Sequence, residues 1–375
     1  MKKMWYKPAL GALVLGLCAA CSDDDGNTTT PPGEGDGGEP GVVEPGTGTK
    51  TAGMYVLNTG NWGGNDATIQ YFNLENLSIS GDLFGPANGA GLGDLGQDLC
   101  LYGSKLYATV SGSSKLEVMD RNCKVIKTLH VTTDDGQTPA EPRYMTACGG
   151  NVYFTAYDGT VSRLDTASLE ITGKVAVGDH PEALTNANGK LYVNISGYGT
   201  GATVAVVDVA SFTKTKDIAV KLNPYTQCFT GDDGYVYTVS NGNYAGSPGM
   251  SEDQYVYGTL QRIDPATDTV EDVCRATFAA NHGDKMYVLY SEYYLPETKR
   301  AFVLDLKTGE ETDFLNLGDF SSPNAIGVNP STGDVYVADT PYGVNSTVRV
   351  YDAQGKLKNT FEAGYSTSKF VFINE

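Results

Sequence analysis

A tyrosine set in a short apolar segment recurs seven times along the chain. The segments, such as KLYATV, NVYFTA and KLYVNI, are rich in Val, Leu and Tyr and are bounded by Gly, Asn and Asp. This pattern predicts β-strands and shows no helical period. Successive tyrosines are separated by about 40 to 50 residues, an interval typical of repeat architectures. The seven residues are Tyr55, Tyr107, Tyr153, Tyr192, Tyr237, Tyr287 and Tyr336.

Each tyrosine strand is followed by another strand that ends in an acid or its amide, as in YFN, VMD and RID. Such residues open tight turns by accepting hydrogen bonds from the backbone two residues on. Adding one strand before and one after gives four strands per unit, which predicts a β-propeller blade. The residues that end the strand after each tyrosine strand are Asn73, Asp120, Asp165, Asp208, Asp264, Asp305 and Asp352.

The two ends of the repeat array complement each other. The first unit lacks a strand before Tyr55, whereas the chain finishes with TSKFVFINE, a first-strand pattern without a successor. We predict that residues 367–374 complete the first blade and so cover two sheet edges. The expected fold is all-β: a seven-bladed β-propeller with four-stranded antiparallel blades, the first blade closed by the C-terminal strand.

Connections within such blades alternate between the two faces of the ring. The plain face carries the turns between strands 1 and 2 and between strands 3 and 4, which are all short. The loop-rich face carries the loops between strands 2 and 3 and the links between blades. Its long segments include loops 59–66, 241–258 and 291–299 and links 84–97 and 132–144.

Aromatic and amide side chains are concentrated on the predicted loop-rich face. Trp and Tyr offer flat apolar area with little rotamer entropy to lose, and Trp62, in GNWGG, has only glycine and asparagine beside it. We therefore predict a site for a large, rigid, amide-rich or polyhydroxylated ligand. The candidate ligand-binding residues are Asn61, Trp62, Asn65, Gln97, Asp98, Arg143, Tyr144, Tyr198, Tyr225, Asn243, Tyr244, Tyr293, Tyr294 and Tyr342.

Catalytic chemistry has little support in the sequence. Of three histidines only His180 falls on the loop-rich face, in a link where a structural role is favoured, and no CxxC spacing indicates zinc. Carboxylates on that face could pair for glycoside hydrolysis, but spacing along the chain does not test this. We expect a binding protein that is not an enzyme, with no catalytic residue, metal or cofactor.

The N-terminal segment resembles a bacterial lipoprotein signal. Basic residues precede the apolar run PALGALVLGLCAA, which is too short to span a bilayer, and CAAC places Cys21 at the acylated position. The alternative is a plain secretory signal without lipid. The following CSDDDG resembles the surface-export signal of Bacteroidota lipoproteins. We expect a signal peptide over 1–20, a lipidated Cys21 and disordered tether over 21–52, and the propeller over 53–375.

The excess of acidic over basic residues narrows the range of binding partners. The formal net charge of −19 argues against nucleic acid and against charge-driven binding to anionic lipid. Contact with the membrane is expected only through the lipid on Cys21, in the outer membrane and facing the extracellular side.

Two family resemblances add to this interpretation. VGDHPEALTNANGKLYVNISGYGTGATVAVVDV (177–209) resembles the repeat of YncE-like propellers. The first blade, MYVLNTGNWGGNDATIQYFN, resembles the BtuG family of surface lipoproteins of Bacteroidota through Leu57, Asn58, Gly60, Asn61, Gly63 and Asn65. The BtuG resemblance implies capture of cobalamin (vitamin B12) as a transported ligand and its delivery to a TonB-dependent outer-membrane transporter.

Two other kinds of function stay open at the level of sequence. A ferric siderophore or a glycan could occupy the same face, although an anionic siderophore calls for clustered cations and only Arg143 and Lys299 are obvious there. An adhesion or protein-interaction propeller would use the same rim without a pocket.

Overall fold

The structure, a computed structural model, describes residues 50–374. Within this range, twenty-eight strands form seven four-stranded antiparallel sheets, which confirms the predicted seven-bladed β-propeller. The signal peptide, Cys21 and most of the proposed tether lie outside the described residues.

The strands of blades 1 to 4 follow the predicted order. They are β1 (Thr51–Asn58), β2 (Thr68–Asn73), β3 (Ser78–Ile79), β4 (Gly96–Tyr102), β5 (Lys105–Val110), β6 (Lys115–Met119), β7 (Val125–His130), β8 (Pro142–Cys148), β9 (Asn151–Ala156), β10 (Thr160–Asp165), β11 (Ile171–Ala176), β12 (Pro181–Ala187), β13 (Lys190–Ile195), β14 (Thr203–Asp208) and β15 (Thr213–Ala219).

Blades 5 to 7 and the closing strand complete the ring. They are β16 (Pro224–Thr230), β17 (Val236–Ser240), β18 (Thr259–Ile263), β19 (Val270–Arg275), β20 (Phe278–His282), β21 (Lys285–Glu292), β22 (Leu295–Asp305), β23 (Glu311–Leu315), β24 (Pro323–Val328), β25 (Val335–Asp339), β26 (Asn345–Tyr351), β27 (Leu357–Tyr365) and β28 (Thr367–Asn374).

The repeated tyrosines form the core between blades. All seven lie on the second strand of their blade with at most 1 % of the side chain exposed. The acids and amide that end the third strands open turns as predicted: Asn73 and Asp120 each accept from the backbone N–H two residues on, at 2.8 Å. In blade 4 the bond reaches one residue further, from Ser211 N–H to Asp208 at 2.7 Å.

Neighbouring blades are joined by side chains at matching positions of the second strand. The Thr109 hydroxyl donates to the Arg143 carbonyl, and the Thr155 hydroxyl donates to the Glu182 carbonyl at 2.9 Å. The Asn194 amide donates to the Tyr225 carbonyl at 3.1 Å. Each bond fixes the start of the first strand of the next blade, which we call the inner strand. Buried polar groups of this kind are costly to leave unpaired.

The ring closes where the sequence predicts. Strand β28 pairs antiparallel with β1. The buried Thr367 hydroxyl donates to Asn58 Oδ1 at 2.7 Å, and the Thr59 and Ser368 hydroxyls lie 2.8 Å apart. The two sheet edges are therefore paired rather than exposed.

Replacing Thr367 with valine should lower the free energy of unfolding by about 1–2 kcal/mol, because Asn58 Oδ1 loses its donor inside the protein. Urea unfolding measures this change. Thr360→Val, at an exposed position of β27, is the matched control. A loss for Thr367→Val no greater than that of the control would contradict the stabilising role assigned to this hydrogen bond.

Within residues 50–374, four short helices interrupt the strands, and the sequence did not predict them. They are α1 (Phe84–Asn88) and the 3₁₀ helices Gly197–Gly199, Glu252–Gln254 and Leu317–Asp319. Helix α1 occupies the link from blade 1 to blade 2 and buries Phe84. Across residues 50–374, none of the helices has the length and apolar character needed to traverse a bilayer.

Candidate ligand-binding cleft

The exposed aromatic side chains of residues 50–374 all lie on the loop-rich face. Each belongs to a loop between the second and third strands of a blade, and Trp62 is 82 % exposed. The predicted concentration of aromatic loops on one face is therefore confirmed. The residues are Trp62, Tyr198, Tyr244, Tyr293, Tyr294 and Tyr342.

The loop that carries Trp62 is held by two carboxylates. Asp66 accepts from the Asn61 backbone N–H at 2.7 Å and from the Asn61 side chain at 2.8 Å. Asp94, on the link to blade 2, accepts from Gly63 N–H at 2.9 Å. Gly63 has a φ of 74°, a conformation that favours glycine. The indole is thus presented to solvent by a braced loop.

A cleft of about 530 Å³ lies beside Trp62, and we call it the aromatic cleft. Trp62 of blade 1 and Tyr198 of blade 4 line it together with Tyr157 and His180. The link between blades 2 and 3 (131–141) also reaches the cleft. Its size is in the range of ligand sites, roughly 300–1,000 Å³. Its other lining residues are Thr133, Pro139, Ala140, Glu141 and Asp158.

His180 is fixed inside the aromatic cleft. Its ring centroid lies 4.8 Å from that of Tyr157 and 5.1 Å from that of Tyr198. Its Nδ1 lies 2.7 Å from Asp179 Oδ1. The sequence favoured a structural role in a link for this histidine, whereas the structure places it among the residues that line the cleft.

A buried group of hydrogen-bonded side chains lies next to the cleft. It consists of Arg143, Glu182, Gln97 and Tyr157, and we call it the Arg143 network. Arg143 Nε donates to Glu182 Oε2 at 2.9 Å, and its Nη1 donates to Gln97 Oε1 at 2.6 Å. The guanidinium lies 4.4 Å from the centre of the Tyr157 ring. The Tyr157 hydroxyl donates to Glu182 Oε1 at 2.5 Å. Tyr157 therefore links the cleft wall to the network.

Burial governs the protonation chemistry of this network. Glu182 is fully buried. Burial raises the pKa of its carboxyl, and the Arg143 guanidinium and the Tyr157 hydroxyl oppose that shift. Burial also raises the pKa of Tyr225 to about 12. Burial likewise raises the pKa of Tyr157, so its hydroxyl stays protonated near neutral pH and donates to Glu182.

The inner strands begin earlier than predicted. The links were expected to hold Gln97, Arg143, Tyr144 and Tyr225, but these residues lie among the first three residues of strands β4, β8 and β16. Asp98, also on β4, is buried and pairs with Lys369 of β28 at 2.9 Å. Gln97, Asp98 and Arg143 pair with other side chains of the propeller instead of extending from loops.

The candidate residues of blades 5 to 7 lie outside the aromatic cleft. Asn243 holds its own loop by donating to the Gln254 carbonyl at 2.8 Å. Tyr293 and Tyr294 pack edge to face, with centroids 4.8 Å apart. Tyr244 and Tyr342 are exposed, and so is Asn65 of the Trp62 loop. The cleft thus brings together Trp62 and Tyr198 out of the predicted set.

Several cleft and network residues were absent from the predicted set. Tyr157 follows a strand directly, and Glu182 follows Pro181 at the start of β12. Both positions sit on the loop-rich end of their strands, which is the signal that could have found them. Their partnership with Arg143 joins blades 3 and 4 and is not visible from spacing.

A larger cavity of about 650 Å³ lies on the plain face between blades 1 and 7. Its lining includes Tyr71, Leu77, Tyr336 and Lys50. Its aromatic lining residues Tyr71 and Tyr336 are buried, whereas the exposed rings of Trp62 and Tyr198 line the aromatic cleft. We therefore take the aromatic cleft as the candidate ligand site.

The fold is a β-propeller that carries a candidate ligand-binding cleft on one face. The chain belongs to the family described as a domain of unknown function, DUF5074, whose sequence profile matches residues 52–372. No curated protein matches the chain.

Solved structures show similarity in fold. A protein from Lactobacillus plantarum has a TM-score of 0.59 and 16 % identity, covering 86 % of this chain and 100 % of its own. The dihydro-heme d1 dehydrogenase NirN in complex with DHE has a TM-score of 0.56 and 10 % identity, covering 88 % and 77 %. Kuenenia stuttgartiensis hydrazine synthase has a TM-score of 0.52 and 15 % identity, covering 74 % and 80 %. At such identities the likeness extends to the fold alone.

Proposed function

We propose that this protein is a surface-exposed binding lipoprotein that captures a corrinoid such as cobalamin in the aromatic cleft. The observation that carries the proposal is the cleft itself, bounded by the braced, exposed Trp62 and by Tyr198. The resemblance of the first blade to the BtuG family supplies the ligand class. The protein binds its ligand without chemical change.

A corrin suits the cleft for physical reasons. The ring system is large and rigid, so binding it forfeits little conformational entropy. Each aromatic ring that packs on it contributes about 0.5–1.5 kcal/mol beyond the area buried. The amide fringe of the ligand can exchange hydrogen bonds with cleft groups such as Thr133 and Glu141.

The charges on this face favour a near-neutral ligand over an anionic siderophore. Arg143 is paired with Glu182. The Lys299 ammonium donates to the Phe320 carbonyl at 2.6 Å. The two cations that the sequence offered for an anion are therefore already engaged within the protein.

Anchoring and delivery complete the proposed role. A lipid on Cys21 would hold the protein at the outer membrane, on its extracellular side, and residues 22–50 would act as the tether. The loop-rich face would then present its ligand to a TonB-dependent transporter. Both parts rest on the sequence patterns at 1–52 and on the family resemblance.

Isothermal titration calorimetry of residues 22–375 tests the ligand class. We expect saturable binding of cyanocobalamin with one site per chain and no binding of a ferric catecholate siderophore. Binding of the siderophore but not of cyanocobalamin would replace the proposal with the rival cargo. Failure of both ligands to bind would reject a role as a receptor for either.

A further inference from the structure

The position occupied by His180 recurs around the ring. In five blades the residue directly before the inner strand adopts a left-handed backbone, with φ between 47° and 62°. This conformation is unusual for residues other than glycine. The five residues are Leu95, Glu141, His180, Asn223 and Ser366. The fold therefore fixes the backbone at this position and accepts five different side chains, so the turn does not require an imidazole.

The imidazole of His180 is arranged as a metal ligand usually is. Its Nδ1 lies 2.7 Å from a carboxylate oxygen of Asp179, the partner that commonly fixes the tautomer of a ligating histidine and raises its basicity. The Nε2 atom has no hydrogen-bond partner among residues 50–374. The side chain retains 31 % of its accessible surface.

The residues around His180 suit a flat ligand. The Tyr157 and Tyr198 rings both pack against the imidazole, and Trp62 lines the same cleft. A planar macrocycle that enters the cleft can pack its edge on the aromatic rings. Its central metal would then meet His180.

We propose that His180 Nε2 coordinates the metal of the captured macrocycle at an exchangeable axial position. This inference rests on the proposed function and specifies the ligand form: a corrinoid whose cobalt carries an axial water. The lone pair of neutral Nε2 forms the Co–N bond as the Co–O bond to water breaks, and the water leaves. No electron is transferred, and the Nδ1 proton stays in its hydrogen bond to Asp179.

Visible absorption spectroscopy tests the coordination, because replacing axial water by imidazole changes the cobalt spectrum. Aquocobalamin, which has an exchangeable water, is compared with cyanocobalamin, in which cyanide holds that position. The test variant is His180→Asn, because Asn223 shows that asparagine is accepted at the equivalent position. The control is His130→Asn, at an exposed histidine on the fourth strand of blade 2.

The expected result is a spectral change when aquocobalamin binds wild type and His130→Asn, and none with His180→Asn. His180→Asn should weaken aquocobalamin binding at least about tenfold and cyanocobalamin binding less than about threefold. No spectral change in wild type, or one that survives in His180→Asn, would overturn the coordination. If cyanocobalamin still binds in that case, the proposed function stands. If neither corrinoid binds wild type, both the function and this inference are rejected.

Discussion

Replacing Trp62 with alanine is expected to weaken cyanocobalamin binding by about 2–4 kcal/mol, the range found for central aromatic anchors. The indole is 82 % exposed in the free protein and bounds the aromatic cleft. Its loop is braced by Asp66 and Asp94, so it loses little freedom when a ligand covers it. Calorimetric titration of wild type and variant gives the difference directly.

Tyr293→Ala is the matched control for this loss. Tyr293 is 80 % exposed and lies on the same face, but it belongs to blade 6 and does not line the cleft. Its removal should change binding by less than about 0.5 kcal/mol, the range of ordinary surface substitutions. Equal losses for the two variants would mean that the ligand does not occupy the aromatic cleft.

Replacing Glu182 with alanine is expected to destabilise the protein by about 3–5 kcal/mol, because it leaves the buried Arg143 charge without its partner. Glu182 also accepts from the Tyr157 hydroxyl, so two donors lose their acceptor at once. The fall in the denaturant midpoint measures the effect. Glu252→Ala, at an exposed position on the same face, should have little effect.

The double variant Arg143→Met, Glu182→Met separates the cost of the unpaired charge from the cost of lost packing. Removing both charges should recover a substantial part of the stability lost in Glu182→Ala. A double variant no more stable than Glu182→Ala would show that the ion pair is not the source of the loss.

The fold could be predicted from the sequence because its signals are local and repeated. Each tyrosine strand carries its own apolar pattern, and each turn after Asp120 or Asp305 carries its own chemistry. Strand β28 was found because the array lacked one strand at its start. Helix α1 was missed because five residues in a link show no helical period.

The site could be predicted only in part. Counting strands places Trp62 and Tyr198 on one face, since alternation fixes the end of the blade at which each loop emerges. It does not give the distance between loops across the ring. The pairing of Arg143 with Glu182, 39 residues apart in the chain, and the position of His180 in the cleft depend on how neighbouring blades pack, which no local pattern encodes.

Hydroxyl-radical footprinting with mass spectrometry tests the central claim most directly, because it reads every exposed ring on the face in one experiment. With saturating cyanocobalamin, oxidation of Trp62 and Tyr198 should fall strongly, while oxidation of Tyr293 should stay unchanged. Unaltered oxidation of Trp62 and Tyr198 under conditions where calorimetry shows the ligand bound would contradict capture in the aromatic cleft.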